Sequence, residues 1–154
     1  MGLLEYIFGP KRQISDDYLG TIERQRARKE KEGKEYTWYA SHSLPRAPEE
    51  TDIFLEGSYH TPNPKQLNEL KRILKNYEDL FEKIHQEVGN RKLKPGLFDH
   101  WSVEEWKNNY FLLSVFPLDG IKPSFELYFE PIHDTRVPDI LFDFVHGEMR
   151  NLSI

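Results

Sequence analysis

Six histidines are the first residues to test for chemistry, because imidazole both binds metals and moves protons near neutral pH. They are His42, His60, His85, His100, His133 and His146. No two of them stand three or four apart, the interval that would put two ligands on one helix face, and His85 is alone in its segment. The tightest group is His133-Asp134 with Asp139 and Asp143. An Ile-His-Asp step leaving a strand reads first as a turn whose aspartate caps backbone N–H groups. Glu126 and Glu130 could be paired as acid and base, since they share one face of an expected strand. Four residues of extended chain separate them by about 13 Å, beyond either spacing that glycoside hydrolysis uses. There is no Gly-x-Ser-x-Gly elbow, no cysteine, and no glycine-rich loop closing on Gly-Lys-Ser/Thr. The expectation is a protein with no catalytic residue, no metal and no cofactor, and thus not an enzyme.

The elements that would carry these residues follow from periodicity. Leu3, Leu4, Ile7 and Phe8 suggest a short opening helix ended by Gly9-Pro10. Segments from Asp17 to Glu23 and from Glu35 to about Leu44 predict a long hairpin, and Thr51 to Gly57 a third strand. Thr61-Pro62-Asn63-Pro64 supplies a cap and a helix-starting proline. From there Leu67, Leu70, Ile73, Leu74, Tyr77, Leu80, Phe81, Ile84 and Val88 form a single stripe that predicts one long amphipathic helix, running to Gly89 and lying across a sheet. Ser102-Val103-Glu104-Glu105 matches a capping box and predicts a short middle helix between Trp101 and Trp106. Strands return at Tyr110–Phe116, Ser124–Glu130, Asp139–Phe144 and Glu148–Leu152. Phe125, Leu127 and Phe129 oppose Glu126, Tyr128 and Glu130, as Ile140, Phe142 and Phe144 oppose Leu141, Asp143 and Val145. The expected fold is α+β: a single domain over residues 1–154, with a mostly antiparallel sheet, one long helix across it, and short N-terminal and middle helices.

Charge narrows the partners. The chain has 154 residues and a net charge of -5. Residues 1–96 carry 17 Lys and Arg against 16 Asp and Glu, whereas residues 97–154 carry 4 against 10, a balance of -6. Such a surface repels phosphate backbones and attracts basic proteins. The basic run from Arg24 to Lys34 is interleaved with Glu23, Glu30, Glu32 and Glu35 and has no aromatic platform within it, so nucleic-acid binding is not expected. The absence of cysteine fits a reducing compartment, no apolar run is long enough to span a membrane, and Met1 to Phe8 lacks a basic flank. A cytoplasmic location is expected, with no membrane contact.

Three stretches carry a likeness. They are Met1-Gly2-Leu3-Leu4-Glu5-Tyr6-Ile7-Phe8-Gly9 with Tyr18-Leu19-Gly20, the block Ile53-Phe54-Leu55-Glu56-Gly57 leading to Pro64 and the helix, and Phe125-Glu126-Leu127-Tyr128-Phe129-Glu130-Pro131-Ile132-His133-Asp134 before a final hairpin. Here the chain resembles small uncharacterised bacterial proteins, in groups of unknown function that include immunity proteins of polymorphic and contact-dependent growth inhibition toxins. The resemblance implies an antitoxin that occludes a cognate toxin domain, and it carries over no catalytic residues. Many toxin domains are cationic nucleases, so the expected partner surface is the acidic set Glu126, Glu130, Asp134, Asp139, Asp143 and Glu148, with Trp101 or Trp106 as an exposed aromatic anchor. Two other readings stand beside it: a small-ligand or substrate-processing domain with an aromatic cleft between helix and sheet, and an adaptor that self-associates through the edge of its terminal hairpin. The expected state is a monomer or weak homodimer.

Overall fold

Strands whose large apolar side chains alternate with polar ones can bury one face and leave the other open. In the computed structural model, which describes residues 11–26, 33–118, 123–133 and 136–154, eight such strands form one sheet. They are β1 (Arg12–Asp16), β2 (Gly20–Arg24), β3 (Tyr36–His42), β4 (Thr51–Gly57), β5 (Tyr110–Pro117), β6 (Ser124–Pro131), β7 (Ile140–Val145) and β8 (Glu148–Ser153), and they lie side by side in chain order. Neighbours are antiparallel except β4 and β5, which run parallel through Asp52↔Ser114 and Ile53↔Val115. A parallel step needs a crossover connection. Three helices supply it: α1 (Pro64–Lys75), α2 (Asp79–Arg91) and α3 (Val103–Asn109).

The expected fold is therefore corrected. The sheet is mixed, and no single long helix lies across it. The chain from Pro64 to Arg91 is two helices separated at Asn76–Glu78. Asn63 starts α1 by accepting from Lys65 N and Gln66 N, with Pro64 at the first helical position. Asn76 ends it: its N–H turns back to Ile73 and Leu74, and its Nδ2 donates to Arg72 O at 2.8 Å. Asp79 and Glu82 then stand in the first turn of α2, where the helix dipole favours acids. The apolar stripe hides this break, because Leu70, Ile73, Leu74, Tyr77, Leu80, Phe81, Ile84 and Val88 are all buried on both sides of it. The third helix does begin with the capping box, Ser102 Oγ accepting from Glu105 N and the Glu105 carboxylate accepting from Ser102 N. The expected opening helix lies outside the described residues.

All three helices cover the same face of the sheet. Their buried side chains join Ile22, Trp38, Ala40, Ile53, Leu55, Val115, Phe125, Leu127, Phe129 and Phe142 in one core. Tyr77 stacks on Phe129 with 6.5 Å between centroids, and Phe81 meets the same ring edge-on at 5.5 Å. Gln66 clips α1 to β4, accepting from Glu56 N at 2.9 Å and donating to the Glu56 carboxylate at 2.8 Å. Thr51 seals the parallel junction with a buried hydrogen bond to Leu112 O at 2.6 Å. The other face of the sheet is thus left free of these helices.

Candidate functional site

The register of the strands writes out that second face. Glu23 sits opposite Tyr39, Tyr39 opposite Phe54, Phe116 opposite Glu126, and Glu126 opposite Asp143. Phe54 and Phe116, on the parallel pair, stack at 4.9 Å with 5° between their planes. Directly opposed residues point to the same side, so these six form one row from β2 to β7, roughly 24 Å long at the usual strand spacing. Its sequence is acid, three aromatics, then two acids. Tyr39 tilts against Phe54 at 5.5 Å and donates its hydroxyl to Asp52 at 2.7 Å. Phe116 is 39% exposed, one of two large hydrophobic side chains so exposed among the described residues.

The acids behave differently from one another. Glu126 has no ion pair or hydrogen bond with any described residue, and its cross-strand neighbour Asp143 carries the same charge, an arrangement that costs stability. Asp143 accepts from Asn151 Nδ2 at 2.6 Å, and Arg150, which faces Asp143 across the β7–β8 pair, bonds instead to Glu148 at 3.2 Å. Glu130 lies on the same side of β6 as Glu126. Asp139 accepts a short hydrogen bond from the Tyr128 hydroxyl, which together with partial burial pushes that phenol up to about 12 and ties β6 to the start of β7. Glu148 is exposed on β8. Asp134 lies outside the described residues. The structure thus puts Glu126 and its neighbour Asp143 on the side of the sheet away from the three helices, with Glu130 further along the same side where its cross-strand partner Phe111 is buried, and Asp139 tied to Tyr128.

The expected aromatic anchors are elsewhere. Trp106 is 1% exposed and belongs to the core, so it cannot serve as a surface anchor. Trp101 is half-buried against it, 4.8 Å between rings, in a cluster with Phe98 and Tyr110 on the helical side. The anchor that the open face does offer, the Phe54–Phe116 pair, was missed. Phe54 alternates with the buried Ile53 and Leu55, but nothing in β5 marks Phe116: Leu112 and Ser114, four and two residues before it, are buried, and a register shift between them sets its side.

Two further places bear on the other readings. A pocket of about 410 Å³ lies between α2, α3 and their connection, lined by His85, Val88, Lys92, Leu93, Phe98, Asp99, Trp101 and Trp106. Its wall is held by left-handed backbone at Lys92, Lys94 and Gly96, with Asp99 accepting from Gly96 N at 2.9 Å. The indole Nε1 of Trp106 is buried without a hydrogen-bond partner. At the sheet edge, β8 carries a register shift against β7 and a left-handed Asn151, irregularities that interrupt strand addition.

Arg24, which opens the interleaved basic run of the sequence, is 2% exposed at the end of β2, with its guanidinium 4.8 Å from the Tyr36 ring and 4.2 Å from the Tyr59 ring, donating to Tyr59 O at 3.0 Å. Among the described residues no group of three or more His, Asp or Glu side chains is placed to hold a metal ion, and no helix is long and apolar enough to cross a membrane. No family model, curated protein or solved structure matches the chain.

Proposed function

We propose that this protein is an immunity protein, acting in the cytoplasm by binding a cationic toxin domain against the open face of its sheet and covering that domain's active surface. The observation that carries the reading is the like-charged cross-strand pair Glu126 and Asp143 set beside the Phe54–Phe116 stack, of which Phe116 is exposed. Two directly opposed carboxylates weaken the fold, and an arriving cation at Glu126, which has no ion pair of its own among the described residues, removes that penalty while the aromatic centre is dried. Occlusion asks for no covalent chemistry, so the reading assigns no catalytic residue and no cofactor. The test is growth of cells that express a candidate cationic toxin domain together with this chain or its Glu126→Lys, Glu130→Lys, Asp143→Lys variant. Protection by the unaltered chain and loss of protection with the folded triple variant support the reading. Full protection by the variant overturns it.

A small-ligand reading has one observation in its favour, the pocket beside the unpartnered Trp106 Nε1. Titration with phenylacetate, followed on the indole N–H resonances, separates the two. Movement of the Trp101 and Trp106 signals with Trp38 unmoved supports a ligand site; stillness of all three up to about 10 mM, a range that detects even weak binding, removes it.

A further inference from the structure

We infer that the open face selects arginine over lysine in its partner, with Phe116 and Glu126 forming the slot for one guanidinium. This rests on the proposed reading that a cationic protein docks on this face. Phe54, Phe116 and Glu126 occupy consecutive strands β4, β5 and β6 in one row. Phe54 covers one side of the Phe116 ring, nearly parallel to it, and Glu126 therefore lies toward the ring's other side. A planar group entering from solvent on that side continues the stack as a third layer and meets a carboxylate at the same point.

Guanidinium fits both demands at once. It is flat, weakly hydrated, stacks on aromatic faces, and offers a fork of N–H donors to carboxylates. The next residue in the row, Asp143, supplies a second carboxylate one strand further on. An ammonium group can satisfy the acids but holds its water and has no plane to lay on the ring. A nucleic acid would bring phosphates against Glu126, Asp143 and Glu130, and a purely apolar partner would have to dehydrate those carboxylates without compensation.

The experiment compares end-capped hexaarginine and hexalysine peptides, titrated at low salt into the intact chain and into its Phe116→Leu and Glu126→Gln variants, with amide chemical shifts reporting where each peptide sits. Phe116 is exposed, so its replacement leaves the fold in place, which unchanged near-ultraviolet circular dichroism verifies. The expected result is hexaarginine about five-fold tighter than hexalysine, with shifts centred on β5 and β6, the difference vanishing in Phe116→Leu while hexalysine is unaffected. In Glu126→Gln both peptides weaken. Equal binding of the two peptides at this face, or an arginine preference that survives Phe116→Leu, overturns the inference and leaves the acidic-face reading standing. Failure of both peptides to bind the face overturns that reading as well.

Discussion

Replacing Glu126 by Lys should make the protein more stable while removing the property we assign to it. Glu126 and Asp143 are directly opposed on β6 and β7, which places their carboxylates on the order of 6 Å apart. Two unit charges at that distance repel by about 0.7 kcal/mol in water, cut to about half by physiological salt. Lysine at 126 turns this repulsion into an attraction of similar size, so the expected gain is about 0.5–1 kcal/mol. For a chain of this length that is a rise in Tm of roughly 1–4 °C. Arg150, across from Asp143 but bonded to Glu148, tempers the repulsion and places the gain toward the lower end. Urea unfolding at low ionic strength and again at 1 M salt is the assay, because screening at high salt should erase the difference. A variant less stable than the unaltered chain at low salt, or a gain that persists unchanged at high salt, would refute the electrostatic reasoning.

Other consequences follow from particular contacts. A Cβ added at Gly57 would meet Pro62 Cα and Thr61 O at 2.5 Å and Trp38 Cδ1 at 2.8 Å, so Gly57→Ala should destabilise by about 2–4 kcal/mol in denaturant titration, by pushing β4 off its bridge to Pro62. Asn63→Ala removes the acceptor for Lys65 N and Gln66 N and should cost about 1 kcal/mol, with Asn63→Ser recovering most of it. Burial beside Tyr18, ring centroids 4.6 Å apart, holds His42 below its ordinary value against the opposing pull of Glu50. The neutral ring is thus the native form: its contribution is complete above the unfolded value of about 6.5 and is lost as pH falls through that value toward the folded one. His42→Phe should flatten the fall in stability between about pH 7.5 and 5.5 seen by urea titration.

Much of the sheet was legible because burial enforces alternation. On β6 and β7 the residues expected inward, Phe125, Leu127, Phe129, Ile140, Phe142 and Phe144, are all buried. The capping signals at Asn63 and Ser102 worked for the same local reason, a side-chain oxygen facing unpaired N–H groups. What the pattern hid was any feature that leaves burial unchanged. The break at Asn76–Glu78 keeps Leu74, Tyr77 and Leu80 on the core side, so the stripe runs through it. Only Asn76, ahead of Glu78 and Asp79, marks it. β1 has Ile14 as its one apolar residue, paired with Ile22, and so shows no period of its own. The parallel β4–β5 contact joins segments more than fifty residues apart and leaves no local trace. The acids of the open face were legible as charges. Their aromatic centre was not, because Phe54 and Phe116 come together only through that long-range pairing.

The most direct measurement is the association rate between this chain and a purified cationic toxin domain against which it protects cells, taken at two salt concentrations with the unaltered chain and with the Glu126→Lys, Glu130→Lys, Asp143→Lys variant. Association should be fast and slow about ten-fold or more from low to physiological salt, while the folded variant associates slowly and with little salt dependence. A variant that binds as fast as the unaltered chain, with the same response to salt, would contradict the acidic-face reading.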